Sequence, residues 1–273
     1  MMGALSLLFR PRLALLNGAT AVGGYLLFPT AVDPVRLAAV FTGVAILAAA
    51  GSAFNQVLER DVDRLMERTR HRPLPADDMT PVGAMAVGCG CLLAGLLFLA
   101  ESRDLLPMLL GVAALAWYLG VYTPLKRRTT LALAIGALCG TIPPVIGWCS
   151  AGGEPIDYPV VLFAGLIYLW QIPHFWLLQQ RHADDYRRAG IPLLQLRRSD
   201  SSPHGLCRLW VAALAVGAML LPAFGIIGHF IPLWYAALCL PLGAIALGRS
   251  ETAIFSSLNL FPLLLTLLLF IQR

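Results

Sequence analysis

Charge is scarce in this chain: only 13% of its 273 residues are Asp, Glu, Lys or Arg, whereas 58% are hydrophobic. So little polar surface cannot coat a water-soluble core, and a soluble globular domain is excluded. Period-two alternation is missing too. The apolar runs are continuous, which excludes a transmembrane β-barrel, whose strands turn alternate side chains toward a polar lumen. The six cysteines, Cys89, Cys91, Cys139, Cys149, Cys207 and Cys239, lack metal-type spacing and mostly fall in apolar runs. They call for neither a zinc site nor a disulfide framework. The net charge of +5 suits a face apposed to anionic headgroups and needs no nucleic acid. The first apolar run lacks a small-residue cleavage site leading into a soluble domain, so it reads as a span and not as a secretory signal.

What the chain has is apolar length. A hydrocarbon layer about 30 Å thick needs roughly 20 apolar residues per helical crossing, and with barrels excluded the backbone must cross as helices. Suitable runs lie near residues 11–29, 36–57, 81–100, 105–123, 130–150, 159–180, 207–227, 230–248 and 252–271. The prediction is an all-α polytopic membrane bundle of about nine helices, forming a single domain over residues 1–273. With the N-terminus cytoplasmic and the C-terminus outside, every one of the 20 basic residues except Arg36, Arg103 and Arg273 falls on the cytoplasmic side. That is a strong bias under the positive-inside rule. Two long cytoplasmic connections, 58–80 and 181–206, then stand out as candidate catalytic loops.

The first of these follows the sequence NQVLERDVDRLMERTRHR from Asn55. On a continued helix Asn55, Glu59 and Asp63 stand at i, i+4 and i+8 and share one face. Beside them runs a second stripe, Arg60, Arg64, Arg68 and Arg72. Mg²⁺ takes hard oxygen ligands, keeps several waters and is usually held by one or two carboxylates with substrate phosphate oxygens. Arginines at its side would grip a diphosphate bidentately. A charged loop alone reads more economically as a solvated, salt-bridged helix. Asn55, inside the last turn of an apolar span and aligned with the acids, tips the balance toward a metal site of Asn55, Glu59 and Asp63.

The second cluster ends the sixth span, WQIPHFWLLQQRHADDYRR. Trp170, His174, Arg181 and Asp185 fall near one helical stripe, with Asp184 to its side. An imidazole inside the membrane is costly without a partner or ligand, although a lone histidine is more often a structural residue. A second acidic group at Asp185, opposite the first cluster, would complete a metal and diphosphate clamp.

At these residues the chain resembles the protohaem IX farnesyltransferases (haem O synthases) of the intramembrane aromatic prenyltransferase superfamily. The likeness rests on Asn55, Glu59, Asp63, Arg64, Met66, Arg68, Thr69 and Arg72. It continues through Tyr122, Lys126, Arg127, Arg128 and Thr129 to Pro143, Pro144, Gly147 and Trp148, then Pro173 to Trp176 and Asp184 to Pro192. Glu59 departs from the family pattern, which has Asp there, and an Asn that the pattern suggests near Ala132 is missing. The resemblance implies transfer of a farnesyl group from farnesyl diphosphate to a vinyl group of protohaem IX, with diphosphate released, water added and haem O formed. It implies Mg²⁺ on Asn55, Glu59, Asp63 and Asp185, with Asp184 beside them as catalytic acids. Tyr122, Lys126, Arg127, Arg181 and the arginine stripe would hold diphosphate, and His174, Trp170 and Phe175 would meet the acceptor. Haem is then a substrate and not a cofactor, and the chain works in the cell inner membrane. The resemblance further implies a lipid-accessible central cavity and leaves room for contact with haem A synthase or terminal-oxidase assembly.

Two rivals are weighed. One is a prenyltransferase for a quinone precursor or a chlorin. The other is a transporter, whose charges should lie near the bilayer midplane on broken helices; here the acids gather at one membrane face, which favours an interfacial enzyme. Replacing Asp63 with Ala should abolish turnover while the protein still inserts, as membrane fractionation and a prenyl-transfer assay would read.

Overall fold

The computed structural model describes residues 2–193, 203–228, 231–239, 242–243 and 251–272. The far part of the connection predicted at 181–206 and much of the span predicted at 230–248 lie outside these residues, as do Arg249 and Arg273. Among the described residues every regular element is helical, and seven helices are long and apolar enough to cross a membrane. The chain is a multi-pass membrane protein. The helix Pro11–Leu27, at 17 residues, is shorter than those seven.

Prolines and short polar caps start the helices. A proline has no N–H to leave orphaned in a first turn, and Pro11, Pro34 and Pro81 open α2 (Pro11–Leu27), α3 (Pro34–Leu58) and α5 (Pro81–Leu99). Asp33 accepts from the backbone amides of Val35 and Arg36, and Thr80 from that of Gly83; these are N-caps. A short α1 (Met2–Phe9) precedes α2, and α4 (Arg60–Leu65) follows α3. Then come α6 (Leu106–Ala116), a π-helical turn Trp117–Tyr122, α7 (Thr123–Leu125), α8 (Ala132–Ala137) and α9 (Ile142–Ser150). The long α10 (Tyr158–Arg181) leads through α11 (Ala183–Arg188) to α12 (Pro203–Ala223), α13 (Ile231–Trp234) and α14 (Glu251–Ile271).

Helix α2 packs on α3, α9 and α14; α3 packs on α5, and α10 on α12. Between lipid-embedded helices no water-driven force operates, so close van der Waals fit decides. The α2–α9 crossing is the clearest instance. A Cβ at Gly24 would stand 1.9 Å from the Pro144 carbonyl oxygen, and one at Gly147 would stand 1.8 Å from that of Ala21. Backbone meets backbone there. On the opposite side α10, α12 and α14 share a core in which Phe163, Leu214, Leu258 and Leu265 are fully buried. On the 150–159 connection, which the sequence marks as a turn, Trp148 Nε1 donates to Asp157 at 3.1 Å.

Gly147→Ala should destabilise the fold by about 1 to 3 kcal/mol or more, since overpacking at a backbone contact has no flexible side chain to yield. Thermal unfolding in detergent would check it, with Gly165→Ala, where a Cβ meets nothing within 4 Å, as the neutral control.

Candidate active site

Helix α3 stops at Leu58 and α4 starts at Arg60, with Glu59 in the bend at φ −114°, ψ 14°. The backbone ladder nevertheless runs through: Glu59 N donates to Asn55 O at 2.9 Å and Asp63 N to Glu59 O at 2.8 Å. The four-residue register is kept. Asn55, Glu59 and Asp63 therefore all line one cavity of about 340 Å³ and are almost wholly buried.

Each acid is tied on one side. Asn55 Nδ2 donates to Glu59 Oε2 at 2.8 Å, and Lys126 donates to the same oxygen. Asp63 Oδ2 accepts from Arg72 at 2.8 Å. Thr123 donates its hydroxyl to Asn55 Oδ1 at 3.0 Å, fixing which way the amide points. Among the described residues Glu59 Oε1 has no hydrogen-bond partner although buried, and neither has Arg68 Nε. Burial pulls Lys126 below the ordinary lysine range, with Glu59 and Asp63 opposing. Burial pulls Arg72 down as well; Asp63 opposes, while Arg10 and Arg68 add to the pull. Arginine still stays charged.

The arginine stripe does not survive as one face. Helix α4 ends at Leu65 and Met66 is extended, so residues beyond it swing onto a different side. Arg68 and Arg72 line the cavity. Arg60 and Arg64 instead both pair with Asp77 and donate to the carbonyls of Leu74 and Pro75 at 3.1 Å each, fastening the 73–77 turn. Arg127 forks onto Asp61 at 2.8 and 3.0 Å, outside the cavity. Arg181 is exposed, its guanidinium 4.1 Å from the Phe255 ring centroid. Asp184 is exposed beside Arg187. None of these five lines the cavity. Asp63 is only 3% exposed and ion-paired, so its removal would leave Arg72 unmatched in a buried site and cost stability as well as turnover.

The second cluster bends too, at His182 between α10 and α11. Asp185 is not among the residues that line the cavity. Its Oδ1 accepts from Glu67 N at 3.0 Å and its Oδ2 from Arg68 N at 3.1 Å, with Arg188 adding a third donor. Burial raises its proton affinity, but these amides and Arg188 outweigh it and hold the carboxyl below the usual range. Around it Val62, Met66 and Ile191 pack together with Tyr186. Gly190, at φ +67°, closes α11 so that Ile191 N reaches Tyr186 O at 3.0 Å, a left-handed helix end that glycine suits. The two distant stretches therefore meet on one side of the bundle, joined by a carboxylate and two backbone amides.

Aliphatic side chains such as Leu47, Leu115, Ile146 and Ile167 form much of the remaining wall, together with a set of aromatic rings. His174 stacks between Trp170 (5.0 Å, 24°) and Phe255 (5.5 Å, 10°), edge-on to Phe175, and its Nδ1 is buried without a partner. Trp170 donates to the Leu258 carbonyl, which locks it to α14. Tyr118 and Tyr122 project from the π-helical turn, rings stacked at 5.8 Å, and both line the cavity. Sequence reasoning passed over Tyr118, Thr123, Gln171 and Arg10. Gln171, a buried amide that donates to Ala137 O at 3.0 Å, had a signal in being polar within an apolar run.

Charged groups at one end of an intramembrane cavity and aromatic walls beyond them define a membrane-embedded enzyme site for an amphiphilic anion. The match to the UbiA prenyltransferase family model over residues 17–270 gives the particular assignment, and the chain belongs to that family. It is 58% identical to the protoheme IX farnesyltransferase of Geobacter sulfurreducens, covering 97% of both chains. It is 38% identical to that of Oleidesulfovibrio alaskensis, covering 100% of this chain and 97% of the other. The fold matches a UbiA homolog from Aeropyrum pernix K1 with a TM-score of 0.77 at 19% identity, covering 95% and 96% of the two chains. It also matches one from Archaeoglobus fulgidus bound to GPP and Mg²⁺, at 0.70 and 14%, covering 98% and 99%.

Since Asp185 is held low in the folded protein, it strengthens the clasp above the free carboxylate value of about 3.9, and that contribution fades as pH falls through its lowered value. Tryptic cleavage at exposed Arg70 and Arg187 should be fast at neutral pH in Asp185→Ala, while pepsin should nick the wild-type loops only in strong acid.

Proposed function

We propose that this chain transfers the farnesyl group of farnesyl diphosphate to a vinyl group of protohaem IX, giving haem O with release of diphosphate and addition of water. The observation that carries this reading is a cavity that joins a charged cluster to an apolar, partly aromatic wall, in a chain that is 58% identical to a protoheme IX farnesyltransferase. The setting proposed is the cell inner membrane, with about nine crossings, the N-terminus cytoplasmic, the C-terminus outside and a cavity open to lipid.

The donor set fits a divalent ion that arrives with its substrate. Among the described residues no group of three or more His, Cys, Asp or Glu forms a closed cage, yet Glu59 keeps one carboxylate oxygen unpartnered in the cavity wall beside Asp63. One or two carboxylates with phosphate oxygens and waters are the usual surroundings of Mg²⁺. Glu59 and Asp63, with Asn55 orienting Glu59, would hold it, and when bound it would neutralise charge that grows on the diphosphate as the allylic C–O bond breaks.

The chain's own groups do the rest. Arg68, Arg72 and Lys126 would bind the diphosphate oxygens, with the Tyr122 hydroxyl at their side. The apolar wall would hold the isoprenoid tail and keep water from the allylic cation until the acceptor is in place. The faces of Trp170 and Phe175 would stabilise positive charge, and His174 would meet the porphyrin. Compared with the earlier site residues, Asp185 acts here through the loops it joins and not as a metal ligand.

Purified protein given farnesyl diphosphate, protohaem and Mg²⁺ should form haem O, and chelation of divalent metal should abolish it. Pigment analysis of the products would read both. Prenylation of an aromatic acid or a chlorin in place of protohaem, or undiminished turnover after chelation, would overturn the assignment.

A further inference from the structure

Arg10 sits at the corner between α1 and α2 with φ 50° and ψ 63°, a left-handed conformation that residues other than glycine seldom hold. The corner is built to keep it there. Arg10 N donates to Ser6 O at 3.2 Å, and its own carbonyl accepts from Leu13 and Ala14 at 2.9 and 3.2 Å. From α3, the fully buried Gln56 donates to the carbonyls of Leu7 and Leu8 at 3.0 and 2.9 Å, and the Leu8 side chain is itself fully buried.

The strained corner turns the side chain inward. Arg10 lines the cavity, whereas Arg12, two residues on, is exposed and does not. Among the described residues four cations line that cavity, Arg10, Arg68, Arg72 and Lys126, against two carboxylates, Glu59 and Asp63. Both carboxylates are already engaged by Lys126 and Arg72. Among the described residues Arg10 has no ion pair, and Arg68 has a buried nitrogen without a partner. Both stand close enough to Arg72 to repel its proton. Guanidinium groups crowded in this way between apolar walls need an anion.

We propose that Arg10, held at the α1–α2 corner, grips the diphosphate of the isoprenoid substrate, an assignment that rests on the farnesyl-transfer reading. It lines the same cavity as Arg72 and Lys126, the partners of Asp63 and Glu59, and its charge adds to the pull on both. The backbone strain serves to aim a fork of five N–H donors at that cavity. A haem propionate and a lipid phosphate are the other anions a guanidinium would take, and the test separates them.

The full-length protein in lipid nanodiscs is compared with Arg10→Gln, Arg10→Lys and Arg10→Gly. The readouts are KM for farnesyl diphosphate, inhibition by inorganic diphosphate, protohaem binding by the Soret band, and the unfolding temperature. Arg10→Gln should raise the KM and weaken inorganic diphosphate about 10- to 100-fold, with protohaem binding unchanged, and Arg10→Lys should recover part of the loss. Arg10→Gly should lose diphosphate equally while its unfolding temperature holds or rises, because glycine accepts the left-handed corner. A purely structural role predicts the reverse pairing, with diphosphate affinity tracking the melting temperature. Unchanged diphosphate affinity in Arg10→Gln, or a loss confined to protohaem, overturns the assignment of Arg10 alone. Failure of the wild-type protein to bind farnesyl diphosphate overturns the transfer reading itself.

Discussion

A buried charge must find its opposite, and among the described residues the cavity of this protein does not balance: four cations face two carboxylates inside an otherwise apolar bundle. In a low-dielectric wall an unmatched cation is costly, so much of the local architecture serves to hold cations there. Arg72 is pinned by Asp63, Lys126 by Glu59, and Arg10 by a helix corner clamped from α3. The carboxylates restrain the cations without cancelling them. An incoming anion therefore meets positive charge whose positions are already set, which is the arrangement that favours a leaving group over a ground state.

That arrangement requires two loops far apart in sequence to keep their distance. Asp185 bonds to the amides of Glu67 and Arg68, so the position of the Arg68 side chain follows from a carboxylate more than a hundred residues downstream. The apolar contact of Val62 and Met66 with Ile191 backs the same junction. Hydrogen bonds to an ionised acceptor are roughly twice as strong as neutral ones, which suits a short junction with little area to bury. In the structure Asp185 fastens the loop that presents Arg68 to the cavity.

The membrane spans and the Asn55–Glu59–Asp63 face were legible because both depend on short-range periodicity: apolar length for the first, a register of four for the second. The bend at Glu59 changed the helix axis but left the ladder bonds in place, so the register still held. The arginine stripe depended on the helix continuing past Leu65, and nothing in RLMER, with neither Pro nor Gly, marks the break. Arg60 and Arg64 accordingly face a turn that the sequence could not place. The bonds of Asp185 to the Glu67 and Arg68 amides were not legible for a different reason. A carboxylate offers the same oxygens to a metal and to backbone N–H groups, and the choice is made by tertiary neighbours. Arg10 was invisible because backbone strain has no compositional signature, although the Pro that follows it does discourage a continuous helix.

The division of the cavity also orders the substrates along the membrane normal. Helix α10 ends at Arg181, and His174 lies seven residues earlier, about 10 Å deeper at the rise of an α-helix. On the proposed reading, a diphosphate held among the cations would sit near the passage from α3 into α4, and its isoprenoid chain would run inward past Tyr118 and Tyr122. The carbon that loses the diphosphate then lies at the border between charged and aromatic walls. An acceptor stacked near Trp170, His174 and Phe175 would approach that carbon from the apolar side, opposite the departing group. Charge on the leaving diphosphate and charge on the allylic fragment are thereby met by different walls, cations for one and ring faces for the other.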